Sequence, residues 1–354
     1  MEISQFVPGF LDGDAISNYT VEMQNIIRDW GYTSNIYGVG RHVHSLVQDR
    51  CLDYLDYQQQ PEDIAIYHFS VGSELSGFFR NLKSKKVLIY HNITPAKYFH
   101  AISSEKAMVL DEGRRQLFEL SNVPDLSLAV SAYNAQELLE AGFKDPKVFP
   151  LLFNTSAFNI NPSRKILRKF RKKGTNILFV GRIAPNKKCE DVIQTFYYYK
   201  KTIDPLARLF LVGSFSGMDR YLACLRALTV ELDLADIYFT GHVTQTELVS
   251  YYRIADVFLC MSEHEGFCIP LLEAMHFQVP VVAYAAAGVP GTLDGNGVLV
   301  HQKNYPYIAE LIQCVNEDAS LKANIVQKQL KRLNDFSAPR LSGQFKELLT
   351  PLMQ

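Results

Sequence analysis

Long apolar runs are missing from this chain of 354 residues: the longest, near VPVVAYAAAGVPG (279–291), is short and broken by prolines. A membrane-spanning helix needs about 20 predominantly apolar residues, so none is expected. The opening MEISQFVPGFLDGD has no basic segment followed by an apolar stretch, and no export signal is expected from it. A surplus of charge is missing too, because 36 Lys and Arg nearly cancel 37 Asp and Glu. That balance speaks against a nucleic-acid binder and against a charged disordered tail. Cysteine is sparse and scattered (Cys51, Cys189, Cys224, Cys260, Cys268 and Cys314), with no C-x-x-C pair and no tight His/Cys cluster. Buried free thiols in a reducing cytoplasm are therefore expected in place of a disulfide framework or a zinc site. His42 and His44 in GRHVHS have no third ligand nearby in sequence, and no metal site is expected there. Neither a short-period repeat nor a low-complexity tract occurs, which speaks against a solenoid.

What is present is a hydrophobic fraction of 47%, arranged as short β-rich runs with helical segments between them. That rhythm predicts parallel sheets covered by helices on both faces. In the first half, strands are expected at 2–8, 34–39, 63–69, 86–92, 126–132 and 147–153. In the second half they are expected at 176–181, 208–213, 237–241, 257–261, 279–284 and 297–300. Six and six predict two doubly wound α/β domains, 1–155 and 156–337, joined where NTSAFNINPSRKILRKFRKKG turns polar and basic. The end, 338–354, reads as an amphipathic helix through Phe345, Leu348 and Leu349, and is expected to brace the first domain.

In open α/β sheets, ligands bind beyond the carboxyl ends of the strands. After NILFVG comes RIAPNKK, which places Arg182, Lys187 and Lys188 between a strand and a helix. Cations beside exposed helical N–H groups form an anion site, and diphosphate is the obvious occupant. After VFLCM comes SEHEGFCIPLLEA, where Glu265 and Glu273 frame an apolar run, Gly266 permits a tight turn and Pro270 suits a first helical turn. Two carboxylates at one crevice edge fit paired hydroxyls of a sugar and a ribose, with N–H groups around Gly266, Phe267 and Cys268 assisting. A glycosyl nucleotide is the expected ligand.

GRIAPNKK, LVGS, TGHV and SEHEGFCIPLLEA, in this order, resemble the E-x7-E signature set of glycosyltransferase family four; the loop GDAISNYT and the segment IYHNITP extend the resemblance into the first half. It implies the GT-B fold, two Rossmann-like domains facing across a cleft, and sugar transfer from a nucleoside-diphosphate sugar with retention of configuration. Arg182 and Lys187 would then hold the diphosphate and stabilise the leaving group. Gly181 and Ile269 would flank the donor site, Glu265 would bind the transferred sugar with the N–H groups of Phe267 and Cys268, and Glu273 would bind the ribose. Backbone atoms near Val243 would read the base, while Gly13, Asp14 and Ala15 would approach from the first domain. His91 matches the family histidine that faces the donor sugar. The family pattern carries no Asp-x-Asp metal motif, so the resemblance implies neither metal nor cofactor, only the donor and a saccharide or lipid-linked saccharide acceptor in surface polysaccharide or glycolipid synthesis. The one Asp-x-Asp of this chain is Asp12-Gly13-Asp14, in the loop that the resemblance assigns to donor approach.

Three other readings compete: a GT-B epimerase or phosphorylase, a non-catalytic nucleotide-sugar-binding partner, and a dehydrogenase. The last is weak because YGVGRHVH lacks a third glycine at Rossmann spacing. The basic stretch 163–174 carries Arg164, Lys165, Arg168, Lys169, Arg171, Lys172 and Lys173 beside Ile166, Leu167 and Phe170. Two uses are open to it, a solvated linker helix and a peripheral contact with the inner face of an anionic membrane.

Overall fold

The structure, a computed structural model, describes residues 1–171 and 173–354. It divides into two compact units, the first made of Met1–Lys97, Ser104–Asn154 and Phe336–Gln354, the second of Tyr98–Ser103 and Thr155–Asp335.

In the first unit the strands are β1 (Ile3–Val7), β2 (Ile36–Gly38), β3 (Leu52–Asp53), β4 (Ile64–Phe69), β5 (Lys85–Tyr90), β6 (Leu126–Ala129) and β7 (Lys147–Val148). They form one parallel sheet in the order β3-β2-β1-β4-β5-β6-β7. Strands β1 and β4 are buried along their whole length, as expected of central strands covered on both faces. The strand order reverses between β1 and β4, the kind of position where ligands enter such sheets.

The unit differs from the sequence expectation at both edges. Strand β3 is a two-residue edge strand, too short to carry an apolar rhythm. The expected strand 147–153 stops at Val148: Phe149 donates one more bond to the Ala129 carbonyl, and Pro150 has no N–H with which to continue. The helix Ala338–Leu349 packs here through Leu341, Phe345 and Leu349. The Phe345 ring centroid lies 5.5 Å from Trp30 and 5.1 Å from Phe149. Lys85 Nζ donates to the Leu352 carbonyl oxygen at 2.5 Å, which fastens the end of the chain to β5.

The second unit contains β8 (Asn176–Val180), β9 (Arg208–Val212), β10 (Ile237–Gly241), β11 (Val257–Cys260), β12 (Val281–Tyr284) and β13 (Val298–Val300). They make a parallel sheet in the order β10-β9-β8-β11-β12-β13, with the reversal between β8 and β11. The basic segment folds as the short helix Arg164–Lys169, and its apolar side chains turn inward. Ile166 and Phe170 are buried, with the Phe170 ring 4.7 Å from Phe210 and 5.0 Å from Tyr238. Arg164, Lys165, Arg168, Lys169, Arg171 and Lys173 remain exposed, while Lys172 lies outside the described residues. Among those residues no helix is long and apolar enough to cross a membrane. All six thiols are free, and two of them, Cys224 and Cys314, are exposed where burial was expected, because both stand on outward faces of helices.

Candidate functional site

In the second unit, the loops after β8 and β11 come together at the reversal of strand order. Asn186, buried in the first loop, ties them with two bonds: its Nδ2 donates to the His264 carbonyl at 3.0 Å, and its own carbonyl accepts from Glu263 N at 2.9 Å. Beside this clamp, Lys187 Nζ donates to Glu265 Oε2 at 2.6 Å, and the Glu265 side chain is only 9% exposed. Burial works to lower the Lys187 pKa, but the adjacent Glu265 carboxylate outweighs it, and the ammonium ends above its usual value. A buried charge is tolerable only when paired in this way.

The other two loop cations are placed differently. Arg182 is exposed and its Nη2 donates to the Ser216 carbonyl, in the loop after β9, at 2.8 Å. Lys188, expected as a third anion ligand, faces carboxylates: Glu190 at 3.2 Å and Glu263 at 3.9 Å. Glu263 also pairs with Lys303 at 2.5 Å, and Lys303 reaches Asp191 at 2.5 Å, so Lys188 belongs to a supporting ion network.

Close backbone approach explains two glycines. A Cβ on Gly213, where φ is +148°, would stand 2.0 Å from the Gly181 carbonyl oxygen, so the ends of β8 and β9 can meet only without it. A Cβ on Gly288 would stand 2.2 Å from the Gly266 carbonyl oxygen, in the loop that carries Glu265. Val243, partly buried, precedes the helix Gln245–Ile254, whose start is closed by a capping box between Thr244 and Glu247.

Helix Ile269–His276 begins at Cys268, a non-glycine residue at φ 75° and ψ 72°. Such a conformation costs about 1–3 kcal/mol and is held only where its surroundings demand it. Thr292 Oγ1 donates to the Phe267 carbonyl at 2.5 Å, and the Cys268 thiol shares a hydrogen bond with Cys260. Glu273 lies further along this helix and accepts from Tyr252 OH at 2.6 Å. Burial of its carboxyl group pushes its pKa up to about 7, against the pull of that bond.

One group of metal-type donors comes together among the described residues: Cys260, Glu265 and Cys268, all buried, with ligand atoms within 4.8 Å of one another. The hydrogen bond with Cys260 and burial hold the Cys268 thiol well above its usual pKa, and Lys187 already supplies the positive charge beside Glu265.

The remaining sequence-derived residues belong to the first unit and are described within it. Gly13 has φ +71°, and Asp14 is the N-cap of helix Ala15–Asp29, its carboxylate accepting from Ile16 N at 3.1 Å and Ser17 N at 3.0 Å. Two N–H groups of the first turn of that helix, those of Ile16 and Ser17, are thus already paired. His91 follows β5, is 8% exposed, and lies 2.9 Å from His68 Nδ1 through its Nε2. Neither His68 nor Asn186 stood out in the sequence; the one hint is that Ile-Tyr-His ends two neighbouring strands, at 66–68 and 89–91. His42 Nδ1 lies 3.2 Å from the Pro8 carbonyl, 34 residues earlier, and His44 Nδ1 accepts from Leu46 N at 3.3 Å.

Comparison with known proteins agrees with this geometry. The family model described as glycosyl transferases group 1 matches residues 163–332, which span both loops. Over 219 residues the chain is 26% identical to the GDP-mannose-dependent alpha-(1-6)-phosphatidylinositol monomannoside mannosyltransferase of Mycobacterium tuberculosis, a match covering 58% of this chain and 56% of the relative. It is 29% identical over 158 residues to mannosylfructose-phosphate synthase of Agrobacterium fabrum, covering 43% of this chain and 33% of the relative. The chain thus spans about half, or less, of the length of these curated relatives. The crystal structure of Anabaena HepE in complex with UDP-glucose superposes with a TM-score of 0.78 at 17% identity, covering 99% of this chain and 100% of that one. At this identity the likeness is one of fold, and the fold is GT-B.

Proposed function

We propose that this chain, whose residues 163–332 match the family model of glycosyl transferases group 1, is a family-four-like glycosyltransferase that moves a sugar from a UDP- or GDP-linked donor to an acceptor hydroxyl, with retention and without a metal. The observation that carries this reading is the buried Lys187–Glu265 pair at 2.6 Å, set between two strand-end loops. One relative is named for GDP-mannose and one structural neighbour holds UDP-glucose, which supports the donor class.

In this reading Lys187 and Arg182 take the donor diphosphate, and their charges stabilise the leaving group as its negative charge develops. Glu265 accepts hydroxyl hydrogens of the transferred sugar while Lys187 Nζ holds its Oε2 at 2.6 Å. N–H groups at Phe267, Cys268 and Ile269 add donors at the start of their helix, and Gly181 and Gly266 leave the backbone open to the ligand. Glu273 accepts from the ribose, and backbone near Val243 meets the base. The bond from the anomeric carbon to the diphosphate breaks as the acceptor oxygen attacks the same face, and a donor phosphate oxygen receives the acceptor's proton. No side chain serves as nucleophile. The acceptor is a saccharide or lipid-linked saccharide on the surface polysaccharide or glycolipid route. The exposed basic side chains of 163–174 offer a purely electrostatic contact with an anionic inner membrane face, since Ile166 and Phe170 are committed to the interior.

A calorimetric panel of UDP-, GDP- and ADP-sugars, run with chelator present, tests the proposal. One donor is expected to bind, with Arg182→Ala weakening it by about 1.5–3 kcal/mol, the size of a charged hydrogen bond, and Glu265→Ala abolishing transfer. Failure of all three to bind, with or without magnesium, would sink it in favour of an inert relative.

A further inference from the structure

Gln5 on β1, His68 on β4 and His91 just after β5 stand on three adjacent strands at the point where the strand order of the first unit reverses. Register explains why they meet. Gln5 pairs with Ile66, and His68 with Ile89, so His68 and His91 are each two residues further along on the same face. Gln5 and His68 have no exposed surface, and His91 is 8% exposed.

The hydrogen bonds among them have only one consistent sense. Gln5 Nε2 donates to the Thr20 carbonyl at 3.0 Å, which fixes the amide and turns Oε1 toward His68. At 2.9 Å from that oxygen, His68 Nε2 must carry the proton. A neutral imidazole with Nε2 protonated has a bare Nδ1, and this atom lies 2.9 Å from His91 Nε2, which must therefore donate. His91 Nδ1 is then also bare. It is buried and has no hydrogen-bond partner among the described residues. Burial keeps both rings neutral, lowering His91 to about 3 and, together with the neighbouring His91, holding His68 well below its usual value, so a positive charge does not scramble this order. Tyr19 packs edge-on against both rings, at 5.8 and 5.5 Å, and limits their rotation. Its hydroxyl is likewise buried and unpaired.

We propose that Gln5 and His68 are positioning residues that lock His91 as the Nε2–H tautomer, so that its Nδ1 lone pair accepts a hydrogen from a sugar hydroxyl of the substrate. The proposal rests on the glycosyltransfer reading for the identity of that hydroxyl, but not for the tautomer. An unpaired buried acceptor costs free energy that a hydroxyl donor restores. The relay also gives the site a polarity: a hydroxyl satisfies it, whereas fluorine, which only accepts, does not.

Two measurements decide it. Long-range ¹H–¹⁵N correlation spectra of the full chain, labelled at histidine, should show His68 and His91 both as Nε2–H tautomers without ligand. His91 protonated at Nδ1, or as an even mixture, would overturn the relay whatever the protein binds. With donors in which each sugar hydroxyl in turn is replaced by fluorine, one position should cost at least tenfold in affinity. That penalty should shrink to less than threefold in His68→Leu and return in His68→Asn, whose Oδ1 stands in for Nδ1. Equal affinity across the series would refute substrate acceptance by Nδ1. If no nucleotide sugar binds at all, the glycosyltransfer reading fails while the spectra still decide the tautomer.

Discussion

Glu273 carries the sharpest consequence at the scale of single residues. Its pKa near 7 means that it is about half protonated at neutrality, because burial outweighs the Tyr252 hydrogen bond. Ribose hydroxyls need an ionised acceptor. Nucleotide-sugar affinity should therefore rise about tenfold from pH 6 to pH 8, the change in ionised fraction across a pKa of 7. The diphosphate diester of the donor does not titrate in that range. Glu273→Gln should bind more weakly and show no such rise; a parallel rise in the variant would remove Glu273 from the ribose. Glu265 lies only eight positions earlier, but its environment differs because Lys187 is in direct contact with it. Both carboxylates were legible in the sequence, whereas their division into one held by a lysine and one held by a tyrosine hydroxyl was not. The partner comes from a loop 78 residues away in the chain.

Among the elements, the strands were the most readable, since a central parallel strand buried on both faces is a nearly continuous apolar run, broken here only by Ser4 and Gln5 in β1 and His68 in β4. Helix Arg164–Lys169 was the least readable. Its sequence pattern of basic and apolar residues is the same whether the apolar side meets lipid or protein, and Phe210 and Tyr238 decide the matter by covering Phe170. Phe170→Ala should lower stability in chemical denaturation by about 3 kcal/mol, the lower end for an aromatic truncated in a core. Unchanged stability would mean that the ring is not part of the interior and would restore an apolar membrane face. The loops after β8 and β11 belong to this scale as well. Their sequences name the chemistry, but Asn186 holds them together, and an asparagine between proline and lysine carries no signal that it will be buried.

At the scale of the whole molecule, the histidine pair links the fold to pH. Above about 6.5 both the folded and unfolded chains hold these rings neutral, and they contribute no pH dependence. Between 6.5 and about 3 the unfolded chain takes up protons that the fold refuses. Stability should therefore fall with decreasing pH, by about 1.4 kcal/mol per pH unit for His91, with His68, lowered in the same direction, adding to the fall. Urea midpoints from pH 7 to pH 4 should drop more steeply for the parent than for His91→Asn. Equal slopes would show that His91 titrates freely in the folded state.

The sequence by itself determined the α/β class, the positions of the main strands, the strand-end loops and the charged residue types that those loops carry. Those properties follow from local apolar rhythm and from motifs that occupy a single loop. Only the tertiary structure decided which cation meets Glu265, that Lys188 is spent on Glu190 and Glu263, and that Gln5 and His68 set the proton on His91. Each of these depends on strand order and register, which bring distant residues to one face of a sheet and which no local pattern encodes.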